Sequence, residues 1–138
     1  MQVEDLRYQA KDREWFGHVN TFSSVNAVVL TVEGDPDAAS LAPKLALVRE
    51  LAAEVNPLLE QLYQLAYRKY EGTPWVKPLA EIRTMYYLFG VTLKRDNTTW
   101  WFVLEPEFSV ETIYNHVLRF TRVNGAITWA NFDYETPA

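Results

Sequence analysis

Cysteine is missing from the sequence, which excludes disulfides, thiolate nucleophiles and cysteine-ligated metal sites. Histidine is nearly as scarce. His18 and His116 are the only two, and the residues four positions on are Phe22 and Phe120, neither of which can bind a metal. A metal centre would need carboxylates to complete it, so both histidines read as ordinary polar residues. The five glycines, at 17, 34, 72, 90 and 125, are too scattered to build a phosphate-cradling loop. None of Ser23, Ser24, Ser40 and Ser109 sits in a G-x-S-x-G setting, and each has a turn or cap role available. No apolar run approaches the ~20 residues of a membrane-spanning helix, and the opening MQVEDLRYQAKDREW lacks the apolar run of a signal peptide. These absences predict a non-enzymatic protein with no catalytic residues, metal or cofactor, acting in the cytoplasm. On that reading the sequon Asn97-Thr98-Thr99 is turn chemistry.

Basic residues are also in deficit. Against 18 acidic side chains there are 13 basic ones, a formal charge of −5 with pI near 5.0. Such a surface repels phosphate backbones and anionic membranes, and suits a basic protein partner. The acids cluster: Glu33, Asp35 and Asp37 at one turn, then Asp96, Glu105, Glu107 and Glu111. Lys77, Arg83, Lys94 and Arg95, against Glu81 alone, leave 77–95 net positive. Solvated turns and strand edges explain this pattern more simply than a charged docking face. Glu105-Pro106-Glu107 flanks a proline in an acidic turn, which favours solvated charge over general acid–base work.

What the chain has in plenty is apolar and aromatic side chains, 49% and 14% of residues. At 138 residues this fits one packed domain, 1–138, able to bury about two-thirds of its unfolded surface. REWFGHVNT (13–21) and VNAVVLTVE (25–33) read as strands joined at Phe22-Ser23-Ser24, the second apolar on both faces and so central and covered. A helix follows, capped by Ser40 with Pro43 in its first turn, and Leu41, Leu45, Val48, Ala52 and Val55 keep the helical period. Asn56-Pro57 predicts a kink or a fresh helix capped by Asn56, ending near Gly72. Tyr63, Tyr67 and Tyr70 form a stripe that reads as a flank on the sheet. The proline-bracketed loop Thr73–Pro78 leads to a long strand, about 82–94, and a turn at Asp96-Asn97 returns the chain through TTWWFVLE. Ser109 caps a predicted helix over VETIYNHVLRFTRV, stopped by Asn124-Gly125, before a last strand in AITWANFDY. The fold class is α+β: an antiparallel or mixed sheet of about five to six strands with helices packed on it, in the order β-β-α-α-β-β-α-β. Gly17 and Gly90, inside strands, signal a bulge or a close approach, with an aromatic ring over Gly90 as the plain version.

Trp100 and Trp101 are adjacent on one strand and must point to opposite faces. Trp100, with Phe102 and Leu104, belongs to the core. Trp101 falls on a semi-polar aromatic face with Tyr86 and Trp129, which the Trp75 loop, the N-terminal segment or another chain must cover. Stacking of nucleic-acid bases on that face lacks the basic surround it needs.

In layout, size, acidity and lack of catalytic residues the chain is similar to small bacterial immunity proteins, antitoxins and phage-encoded inhibitors, a likeness of type that no motif carries. The expected function is therefore a binding module that sterically neutralises a basic partner through Trp75, Tyr86, Trp101, Glu105, Glu107, Asp35 and Asp37. Two alternatives stay open: a small-ligand pocket between the sheet and the helices of residues 41–70, and a self-associating subunit, a homodimer that buries the Trp101 face.

Overall fold

Alternation of buried and half-buried side chains marks out the strands of the computed structural model, which describes residues 2–107 and 117–130. The strands are β1 (Arg7–Gln9), β2 (Glu14–Val19), β3 (Val28–Glu33), β4 (Tyr86–Leu93), β5 (Thr99–Pro106), β6 (Leu118–Val123) and β7 (Ala126–Trp129). They form one seven-stranded sheet in sequence order, a longer and simpler sheet than the expected five to six strands. Every neighbouring pair is antiparallel except β3 and β4, which run parallel. Parallel neighbours need a crossover, and here it holds α1 (Ala38–Ala53), α2 (Val55–Tyr70) and α3 (Leu79–Met85). The class is α+β with a mixed sheet.

Local chemistry explains the helix boundaries. Asp37, not Ser40, caps α1: its carboxylate accepts from the Ser40 N–H at 2.6 Å and from the Ser40 hydroxyl at 2.9 Å. Pro43 therefore lies in the second turn, on an exposed part of the helix where solvent can hydrate the carbonyl it leaves unpaired. The break expected at Asn56-Pro57 is real, but the cap is Glu54. Starting α2 at Val55 puts Pro57 among the first four residues, whose N–H groups have no helical partner anyway. Leu58, Leu62, Ala66 and Tyr70 then face the core at four-residue spacing. Gly72 takes positive φ just beyond the end of α2.

Several stretches differ from expectation. The N-terminal segment adds β1, and β3 begins at Val28 because Ser23 Oγ ties the N–H groups of Val25 and Asn26 into a loop, leaving Val25 86% exposed. Residues 82–85 close α3 instead of opening β4. Residues 118–123 form β6 rather than the end of a helix, while Ser109 and the first part of that predicted helix lie outside the described residues. Asn124 and Gly125, both at positive φ (51° and 83°), are a two-residue hairpin turn from Val123 to Ala126 rather than a helix stop.

A bulge settles which aromatics are buried. Leu88 pairs with Leu104 and Gly90 with Val103, so Phe89 is the extra residue. Side-chain parity flips there, and Tyr86 and Leu88 join Val91 and Leu93 in the core. Tyr86, expected on the Trp101 face, is thereby turned to the opposite side. The nearest neighbours of a Cβ at Gly90 would be Val29 O at 3.7 Å and Val103 Cβ at 3.8 Å rather than an aromatic ring. Gly17 is the crowded glycine: a Cβ would stand 2.5 Å from Asp5 O and 2.7 Å from Leu6 Cδ2.

Gly17→Ala should therefore destabilise the protein by about 1–3 kcal/mol through overpacking against the backbone of Asp5. Gly90→Ala should cost less than half as much. Urea denaturation of both variants checks this, and equal losses would contradict it.

Candidate functional site

The sheet has two unlike faces. All three helices pack on one, and their buried residues merge with Trp15, Leu30, Val91, Trp100, Phe102 and Phe120 in a single core. On the other face no described helix lies. Register places Phe16, Thr31, Thr92, Trp101 and Thr121 in one row across it, all half-buried. β3 is central, as expected, but only its Val28, Leu30 and Val32 side is fully buried.

Trp101 meets its cover within the chain. The Lys94 ammonium stands 3.5 Å from the ring centroid, a cation–π contact, and bonds Glu33 Oε2 at 2.6 Å. Glu33 also accepts from the Arg95 N–H at 3.0 Å. Directly across from Glu33 on β2 is Glu14, a like charge facing a like charge. Burial first, then Asp12 and Glu33, pushes the Glu14 carboxyl above its ordinary value, while Lys94 pulls the other way. Glu14, Glu33, Trp101 and Arg119, the last of them buried, line a hollow of about 220 Å³.

The predicted contact residues do not form one patch. Tyr86 is 2% exposed on the core face, so the bulge removes it from any docking surface. Trp129 likewise packs inward, its ring 4.6 Å from that of Phe120 and 5.0 Å from Lys69 Nζ. Asp35 and Asp37 follow β3 and are already engaged: Asp35 pairs with Arg13 and Arg95, and Asp37 caps α1. Glu105 and Glu107 lie at the opposite end of the sheet. Glu105 is opposite Tyr87, whose hydroxyl donates to it at 3.1 Å, whereas Leu93 marks the level of Val32. Six strand residues separate those levels, roughly 20 Å. Glu107 is exposed, and its N–H binds Met85 O at 2.8 Å, which ties that end of β5 to α3. Trp75 is 56% exposed in the loop before α3.

The basic run 77–95 is neutralised by its own chain. Lys77 pairs with Glu81, Arg83 makes two 2.8 Å bonds to Glu60, Lys94 holds Glu33, and Arg95 approaches Asp35 at 3.6 Å. The Arg83 bonds hold the Glu60 carboxyl down to about 2. Asp96 also falls to about 2, because it accepts from the N–H groups of Thr98 and Thr99 and from the Thr99 hydroxyl. Residues 96–99 are thus turn chemistry. His18 is exposed beside Phe16. Among the described residues no group of three or more His, Asp or Glu could hold a metal ion, and no helix is long and apolar enough to cross a membrane. His116 and Glu111 lie outside those residues.

A cleft of about 590 Å³ lies between the α1–α2 break and the two hairpin turns at 97–98 and 124–125, with Trp100 and Arg122 among its lining residues; the sequence left open a pocket between the sheet and these helices but did not single out Arg122.

A carboxyl whose folded value is raised stabilises the fold fully below the ordinary glutamate value, and that contribution is lost as pH rises through the raised one. Glu14→Gln should therefore stabilise the protein at pH 7 by about 0.2–1 kcal/mol, the range for like charges directly opposed. The gain should vanish near roughly pH 3, where wild-type Glu14 is protonated. Denaturant titrations at the two pH values check it; a gain independent of pH would contradict it.

No family model, no curated protein and no solved structure matches this chain.

Proposed function

We propose that the protein is a non-enzymatic binding module of the inhibitor or immunity type, docking a basic protein through the end of the molecule that carries Trp75. The observation that supports this is the way Trp75 is presented. Its loop is held stiff by Thr73, whose hydroxyl donates to Tyr70 O at 2.6 Å and accepts from the Trp75 N–H at 3.3 Å, and whose carbonyl accepts from the Val76 N–H. Trp75 is 56% exposed on that support, and Val76 beside it 41%. Tryptophan is among the residues that dominate binding hot spots, and a pre-ordered loop loses little entropy on docking.

Glu105 and Glu107 add acidic charge beyond α3, whose seven residues span about 10 Å between the Trp75 loop and the Met85–Glu107 link. That charge suits a basic partner. Within this reading Trp75, Glu105 and Glu107 are the contact set.

Tagged wild-type protein and Trp75→Ala, each used to capture partners from host lysate at low and high salt, test the proposal. The expected result is one stoichiometric basic protein, released by salt, whose affinity falls by at least about 30-fold in the variant. Circular dichroism should not change, since Trp75 is outside the core. A partner held equally well by both proteins, or none at either salt, would overturn it.

A further inference from the structure

The cleft beside the α1–α2 break is a different place from the Trp75 end, and what it can hold does not depend on the docking reading. Its volume, about 590 Å³, lies within the ~300–1,000 Å³ of small-molecule sites. Trp100 and Leu51, both buried, contribute apolar walls. Arg122 stands on the helix-facing side of β6, paired across the strands with Trp100 and Ile127, and is half-buried.

Arg122 is exceptional among the cations that are not fully exposed. Lys77 and Lys94 have carboxylate partners, and Lys44 binds the side chain of Asn97. Arg122 makes no ion pair or hydrogen bond among the described residues, although Glu50 and Glu54 line the same cleft. A guanidinium has five N–H donors in a planar fork matched to a carboxylate, and withdrawing it partly from water without one is costly. The buried Trp100 ring and Leu51 stand in the same cleft as Arg122, and the carboxylates of Glu50 and Glu54 belong to residues that line it too.

We infer that this cleft binds a small zwitterion with an apolar body, of the α-amino-acid type. The ligand carboxylate takes the Arg122 fork, the ammonium turns to Glu50 and Glu54, and the side chain lies against Trp100 and Leu51. The rim acids disfavour a simple anion and Arg122 disfavours a simple cation, so both charges are needed.

The test is an NMR titration of the full chain with L-phenylalanine, phenylacetate and 2-phenylethylamine. Phenylalanine should shift the Trp100 indole and Arg122 side-chain signals with Kd at or below about 1 mM, and the singly charged probes should bind at least about tenfold more weakly. Arg122→Gln should weaken phenylalanine binding at least about tenfold with the fold intact. If that variant misfolds, the exposed pair Glu50→Gln and Glu54→Gln gives the same reading by weakening phenylalanine but not phenylacetate. No shift at Trp100 and Arg122 with phenylalanine, phenylacetate binding as well as phenylalanine, or unchanged affinity in the folded variants would overturn the inference.

Discussion

All three described α-helices lie in a single connection, the crossover between parallel β3 and β4, and the rest of the structure depends on that constraint. Every other neighbouring strand pair is antiparallel and adjacent in sequence. A lone crossover delivers its helices to one face, so one side of the inner strands β2–β6 is buried in the core with α1–α3 and the other is left to its own polar and aromatic groups. The two adjacent tryptophans of β5 record the difference: Trp100 sits under the helices, and Trp101 sits beneath an ammonium held by Glu33. On the second face a salt bridge and a cation–π contact do what a helix does on the first.

Much of this was legible where pattern and register are both local. β5 alternates without interruption, so the opposed faces of Trp100 and Trp101 follow from the residues themselves. The hairpin at Asp96-Asn97 and the break before Pro57 rest on side-chain capping and a missing N–H, which a sequence displays. β4 was misread because one inserted residue at Phe89 reverses parity, and nothing in Tyr-Tyr-Leu-Phe-Gly says on which side of the bulge the core begins. Residues 118–123 carry both patterns: Val117 and Leu118 continue a helical stripe, while Leu118 and Phe120 alternate with Arg119 and Thr121. Pairing with β5 decides between them, and that pairing is non-local. Asn124-Gly125 was read as a helix stop for the same reason, although it is also the strongest short hairpin signal.

The candidate surfaces were less legible than the fold, because charge counted along the chain is not charge left over in space. The positive stretch 77–95 is matched by Glu60, Glu81, Glu33 and Asp35, three of which lie far away in sequence. Asp37 and Asp96 are committed to backbone N–H groups. Two features stand apart from these charge pairs: the exposed ring of Trp75 in the loop before α3, and the half-buried guanidinium of Arg122 in a cleft beside the α1–α2 break. Trp75 was visible in the sequence as an aromatic between prolines. Arg122 was not, since its isolation depends on where Glu50 and Glu54 fall when α1 is packed.

The central claim, a sequential seven-stranded sheet closed on one face by a single crossover, is tested most directly by backbone NOE measurements across its row of threonines. The structure predicts contacts between Thr31 and Thr92 across the parallel pair and between Trp101 and Thr121 across β5 and β6, with extended-chain connectivities through Leu118–Val123. A helical ladder of sequential amide contacts through 118–123, or no contact between Thr31 and Thr92, would contradict the account.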